Sequence, residues 1–215
     1  MQVDIKKVAN VVNKGSNIIW ILHRLNISDI YLEIMQGLKW KKILIVNNFS
    51  EDFITEENAE KWKKVIDNND IKITSAFDIE DIKNNAIYND YDIIFIDNVN
   101  LITDNKSEHI DNMTIFFFNI MRKLKEISIK KGITFVLWHW GSRLVYNKEK
   151  GNNPYSNTYY SYYKLEMEHL QFANTFENFE NYVFSVLNEN YYNEDKEDVN
   201  QYFLIHTLME RVRGK

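Results

Sequence analysis

The chain has 215 residues, and 45% of them are hydrophobic, enough to fill one core. Its 31 acidic and 26 basic side chains leave a formal net charge of −5, which excludes a uniformly basic nucleic-acid coat but leaves room for a local basic patch. With no cysteine, disulfides and thiolate metal sites are excluded. The abundance of Asn, Lys and Ile reads as nucleotide-composition bias and carries little functional weight. The start, "MQVDIKKVAN", has no apolar signal core, and no apolar run is long enough to span a bilayer, so a soluble intracellular protein is expected.

Residues 1–14 read as a lead segment to a single domain covering 1–215. The run "NIIWIL" (17–22) predicts a strand. In "ISDIYLEIMQGL" (27–38), Ile27, Ile30, Ile34 and Leu38 recur at helical intervals, with Asn26 as N-cap. "KILIVNN" (42–48) predicts a buried strand. "TEENAEKWKKVID" (55–67) predicts a helix capped by Thr55, its first-turn acids suiting the helix dipole. "DIKITSAF" (70–77) and "IEDIKNNAI" (79–87) follow as strand and short helix, then "YDIIFID" (91–97) as a strand ending on Asp97.

The longest helix is "MTIFFFNIMRKLKEISIKK" (113–131), whose apolar stripe runs through Met113, Phe117, Ile120, Leu124 and Ile127. Phe116, Phe117 and Phe118 together are too wide for one helix face, so this helix is buried on two sides or one Phe meets a partner. Arg122, Lys123 and Lys125 lie off the stripe and read as a solvated side with a secondary role as a DNA track. Lys130 and Lys131 suit the helix end. "GITFVLWHW" (132–140) is again an apolar strand. Such strands, separated by helices, predict a parallel sheet covered on both faces. Beyond it, "FENYVFSVLNENYY" and "VNQYFLIHTLMERV" flank the acidic "NEDKED" and predict an antiparallel hairpin. The fold class is α/β: a mostly parallel sheet flanked by helices, with a C-terminal antiparallel hairpin.

An acid at the tip of a buried strand, such as Asp97, commonly serves a magnesium-bound triphosphate, and that requires a phosphate loop. The loop pattern GxxxxGK[ST] uses glycines to wrap backbone around phosphate, Lys for the outer phosphates and Ser or Thr for Mg²⁺. At the corresponding place stands "LHRLNISD" (22–29), with neither glycine nor lysine and with bulky residues where positive φ is needed. His23 and Arg24 could touch an anion, but Asp29 would repel one at a helix start. Arg24, Asp29 and Asp97 therefore outline a degenerate nucleotide site, with Asp97 expected to cap the following turn. No cofactor is expected.

The order of these elements resembles the core of the RecA-family recombinases, especially the Rad-type branch and its paralogues. "NNDIKITSAFDIEDI" (68–82) is similar to the strand and helix before the Walker B strand, "YDIIFIDNVNLI" to the Walker B strand with Asp97 as its aspartate, and "FNIMRKLKEISIKKGITFVLW" (118–138) to the helix and strand after it. The resemblance spans about residues 15 to 140, and more loosely the final hairpin. It implies a RecA-like core with a degenerate phosphate loop. Three stations depart from the family: the loop itself, the catalytic glutamate (replaced within "IVNNFSED", with Phe49 near it and Glu51 two residues on), and the Asn-Gln nucleotide sensor, where His139-Trp140 stands. A core of this length without those motifs resembles the recombinase-paralogue subunits of the yeast Shu complex.

That resemblance implies a non-catalytic subunit in homologous-recombination repair, heterodimeric with another recombinase paralogue and joined by further repair-complex subunits. It would contact single-stranded or forked DNA and assist the strand-exchange recombinase, with no membrane role and with nuclear residence. Two family loops line the DNA axis. The first corresponds to "TDNKSEHIDN" (103–112), acidic on balance. The second corresponds to 141–164, where Arg143, Lys148, Lys150 and Lys164 interleave with tyrosines including Tyr146 and Tyr155. Cations on phosphates and rings on bases suit a sequence-tolerant single-strand site. The alternatives are a divergent ATPase subunit whose site a partner completes, and a structural adaptor with no DNA role. His23, His109, His139, His169 and His206 show no metal-ligand spacing, so no metal is expected, and His139 is expected to be packed. Ser142 lacks the flanking glycines of a nucleophile elbow.

Overall fold

A computed structural model describes residues 2–22, 27–47, 54–56, 58–76, 78–105, 112–140, 182–188 and 203–210. They form one eight-stranded sheet in the order β1-β8-β7-β2-β6-β5-β3-β4. The strands are β1 (Gln2–Val3), β2 (Ile18–Leu22), β3 (Lys42–Asn47), β4 (Asp70–Thr74), β5 (Ile93–Asp97), β6 (Thr134–Trp140), β7 (Tyr182–Asn188) and β8 (Phe203–Glu210). From β7 to β4 every neighbouring pair is parallel. β8 then runs antiparallel to β7, and β1 antiparallel to β8, so the end strands predicted from the sequence are antiparallel neighbours.

Alternation along the central strands sorts the core into two layers. On the first face, Ile43 and Ile45 of β3, Ile93 and Phe95 of β5, and Val136 and Trp138 of β6 pack under α1 (Ile5–Asn13), α2 (Ile27–Gln36) and α3 (Ala59–Asn68). On the second, Leu44, Val46, Ile94, Ile96, Phe135 and Leu137 pack under α4 (Ile79–Asn89) and α5 (Met113–Lys131). Each of these side chains, fully removed from water, contributes about 1.5–3 kcal/mol. Both faces of β3, β5 and β6 are covered, which is why these strands read as unbroken apolar runs.

Three local features go beyond the sequence reading or differ from it. The lead segment is structured: β1 pairs with β8, and Asp4 caps α1 by accepting from Lys6 N at 2.9 Å. α1 buries Val8, Ala9, Val11 and Val12, and Gly37 lets it close on the end of α2, since a Cβ there would lie 2.6 Å from Ala9 Cβ. α3 starts at Ala59 rather than Thr55. The Asn58 side chain accepts from Thr55 N at 2.8 Å and ties off a turn before the helix begins. β4 ends at Thr74 instead of running to 77, and it is a partly exposed edge strand. Of the three phenylalanines on α5, Phe117 is buried, Phe116 packs partly against the core, and Phe118 stays 46% exposed. The helix ends where expected, at Gly132 in the left-handed region. No helix among the described residues is long and apolar enough to cross a membrane.

Candidate functional site at the carboxyl edge of the sheet

In open α/β sheets, ligands collect at the carboxyl ends of strands whose outgoing connections part to opposite faces. β3 leaves through α3 on the first face and β5 through α5 on the second, so the edge opens between their tips. Asn47 and Asp97, the last residues of those strands, are register partners, and both are buried. Asp97 alternates with Phe95 and therefore faces the first layer, where Tyr31 of α2 stands edge-on to Phe95 (4.8 Å) and to Trp138 (5.6 Å). Burial lifts the Asp97 carboxyl to about 7. Burial also raises the Tyr31 phenol well above its ordinary value, with the charge of Asp97 adding to the effect. Among the described residues, Asp97 Oδ1 has no hydrogen-bond partner.

The cap expected from Asp97 belongs to its neighbour. The Asp97–Asn98 peptide is cis, and the Asn98 side-chain oxygen accepts from Asn100 N at 2.8 Å, closing the short 3₁₀ turn Val99–Leu101. Asn100 Nδ2 in turn lies 3.1 Å from Nε2 of His139, with the amide donating to the ring. His139 is fully buried, as a packed histidine should be, and it alternates with Trp138, which puts it on the second face. Asp97 and His139, adjacent stations in the family pattern, thus stand on opposite faces of the sheet.

The chemistry of this edge is that of amides around one carboxyl. Among the described residues, Asn47, Asn98 and Asn100 supply neutral dipoles, His139 is engaged with Asn100, and Asp97 is the one carboxylate beside them. Among the described residues no group of three His, Cys, Asp or Glu side chains is placed to hold a metal ion. A magnesium–nucleotide pair needs several anionic or phosphate-facing donors; of the described residues at this edge Asp97 alone is one, and residues 23–26 and 48–53, which follow β2 and β3, lie outside the described residues.

Of the residues singled out in the sequence, Asp29 falls in the first turn of α2 and Asp97 at the tip of β5. Arg24 lies outside the described residues, as do Arg143, Tyr146, Lys148, Lys150, Tyr155 and Lys164, so the structure neither gathers nor separates them. Lys123 on α5 is not a free DNA-facing cation. Its ammonium pairs with Asp104 at 2.6 Å and approaches Glu80 at 3.8 Å, fastening the segment after β5 to α4 and α5. Tyr31, Asn47, Asn98 and Asn100 are not singled out by sequence reasoning. A signal for Asn47 exists, since it ends an apolar strand just as Asp97 does, and Tyr31 lies four residues after Ile27 on the predicted apolar face.

No family model matches the sequence, and no curated protein matches it. Among solved structures, an ATPase domain is similar to this chain with a TM-score of 0.65 at 15% identity, over 92% of this chain and 78% of that one. A DnaB-like replicative helicase, described with its interactions with primase, is similar with a TM-score of 0.65 at 13% identity, over 92% of this chain and 52% of its own length. The chain thus spans about half of that helicase. At such identities the likeness carries the fold: α/β, of the RecA-like type.

Proposed function

We propose that this protein is a non-catalytic RecA-fold subunit of a homologous-recombination complex. It pairs with another recombinase paralogue, contacts single-stranded or forked DNA through residues 141–164, and stabilises the strand-exchange recombinase on DNA. The relation to the Shu-complex paralogues, and the nuclear location that goes with it, belong to the same proposal. The observation that carries it is the tip of β5. Asp97 is buried on the same face as Tyr31, and among the described residues its register partner at the tip of β3 is an amide, Asn47, instead of a second acid. The DNA contact rests on the sequence of 141–164, where Arg143, Lys148, Lys150 and Lys164 would track phosphate while Tyr146 and Tyr155 stack on bases.

The test uses the full chain. The expected results are no ATP turnover and no stabilisation by Mg-ATP. Single-stranded DNA binding should weaken with salt and fall at least about tenfold in R143E/K148E/K150E, each lost phosphate contact lowering the salt slope by about 0.7. Recovery of a second recombinase paralogue on affinity purification from the native cell completes the expectation. DNA affinity unchanged in the triple variant would leave a structural adaptor instead. A second reading, an ATPase subunit whose site a partner completes, draws support from the ATPase domain and the helicase that share the fold. Nucleotide hydrolysis by a reconstituted pair, abolished by D97N, would favour it.

A further inference from the structure

α5 carries two stripes on opposite sides. Phe117, Ile120, Leu124 and Ile127 form the inner one and are buried in the core. Ile115, Phe118, Arg122, Glu126 and Ile129 form the outer one, and all five are exposed. Each step along the outer stripe is three or four residues, the spacing that sets side chains on one helix face. Ile115, Phe118 and Ile129 are 52%, 46% and 72% exposed. A single exposed isoleucine needs no explanation. Three large apolar side chains on one stripe, turned away from the core that the same helix helps to build, make a second apolar surface.

The two charges inside that surface are of opposite sign, and among the described residues neither Arg122 nor Glu126 takes part in an ion pair. From Phe118 through Arg122 and Glu126 to Ile129 the stripe reads apolar, positive, negative, apolar. The midpoint between Phe118 and Ile129 falls half a residue from the midpoint between Arg122 and Glu126, less than about 1 Å along the helix axis. Run in the opposite direction, this part of the stripe is therefore its own complement.

We infer that the outer stripe of α5 is a docking surface for a second copy of this chain, packed antiparallel about a two-fold axis at that midpoint. Phe118 of each copy meets Ile129 of the other, and Arg122 of each meets Glu126 of the other, so the contact is isologous. Charge selects this occupant. A parallel copy in register sets Arg122 on Arg122 and Glu126 on Glu126. A wholly acidic or wholly basic partner helix leaves one of the two charges facing its like, and Glu126 repels a phosphate backbone. Lys125 and Lys130 stand to either side of the stripe, where long stems let their ammonium groups reach water beside the contact. One helix face is small for an interface, so the association is weak, about 10–100 µM. It depends on neither DNA, nucleotide nor a recombinase paralogue.

The test is sedimentation velocity of the full chain from about 5 to about 500 µM at about 0.15 M salt. The mass should rise from the 25.8 kDa of one chain towards twice that value. R122E and E126R should each weaken the dimer about tenfold or more. The double variant R122E/E126R should return to within about threefold of the parent, a rescue that unfolding cannot produce. F118E should weaken association about tenfold or more. K61E, an equal charge change on α3 across the sheet, should leave it unaltered. A chain that stays monomeric throughout, a dimer indifferent to R122E and E126R, or a double variant as weak as the single ones would overturn the proposal.

Discussion

Asp97→Asn removes a titration from the interior while keeping the shape of the side chain. Burial raises the folded-state pKa from 3.8 to about 7, so between those values the folded chain holds a proton that the unfolded chain releases. The sign follows: the carboxyl costs nothing below about pH 4, its cost grows as pH rises towards 7, and it levels off above. About three units at about 1.4 kcal/mol each give an upper figure of about 4 kcal/mol, and water entry or relaxation around the ionised group lowers it to about 2–4 kcal/mol. The other carboxylates titrate alike in both proteins, so the difference between variant and parent isolates Asp97. Urea unfolding followed by tryptophan fluorescence, repeated from about pH 4.5 to about pH 8.5, should show D97N more stable than the parent at the alkaline end by about 2–4 kcal/mol. That gain should shrink towards nothing at the acid end. Parallel stability curves, or a variant less stable at high pH, would refute the claim that an uncompensated carboxyl lies at the tip of β5.

Asn17 is buried where β2, α5 and β6 meet, its Oδ1 accepting from Phe135 N at 2.9 Å and its Nδ2 donating to Ser128 Oγ at 3.0 Å. N17A should cost about 2–4 kcal/mol by removing both hydrogen bonds from a buried site, read as a lower urea midpoint at unchanged slope. K123A strips the ammonium from the buried Asp104 and should cost about 2–4 kcal/mol at neutral pH, with D104N/K123A recovering part of the loss in a double-mutant cycle. G132A tests the end of α5. Gly132 sits at φ 70 and a Cβ there meets no atom within 4 Å, so only the backbone term remains and thermal unfolding should report a loss of about 1 kcal/mol, with G132N costing less. Y31F keeps the edge-on rings with Phe95 and Trp138 and should stay within about 1 kcal/mol of the parent, whereas Y31A should lose about 3–5 kcal/mol.

The central strands and α5 are legible in the sequence because one physical signal dominates each: β3, β5 and β6 are apolar on both faces, and α5 carries a stripe, an asparagine cap and a terminal glycine. α1 escapes notice although Asp4, Ile5, Val8, Ala9 and Val12 carry cap and spacing, because a nine-residue stretch ahead of the first apolar strand reads as a lead segment. The expected start of α3 is too early because Thr55 and the following acids imitate a helix start, while the turn that defers it depends on Asn58 reaching back to Thr55. At the site, Asp97 is identified by its place at a strand tip. What surrounds it is not legible, since Asn47 and Tyr31 reach it only through strand register and the packing of α2. Lys123 reads as a solvated cation because its partners, Asp104 and Glu80, come from segments distant in sequence.

The tip of β5 bears on function because the same substitution separates the competing readings. In an ATPase, an aspartate there is held ready by cations and basic groups that keep it charged, and its amide replacement sacrifices activity. Here the described surroundings of Asp97 are a phenol, an aromatic wall and an amide, and burial among them disfavours its charge. A residue retained for packing is relieved by losing its charge, whereas one retained for a cation is disabled by it. D97N that is more stable at alkaline pH and still retains DNA and its partner subunit therefore argues for a scaffold. D97N that is more stable but fails in a reconstituted nucleotide-hydrolysing pair argues that the partner supplies a positive charge beside Asp97.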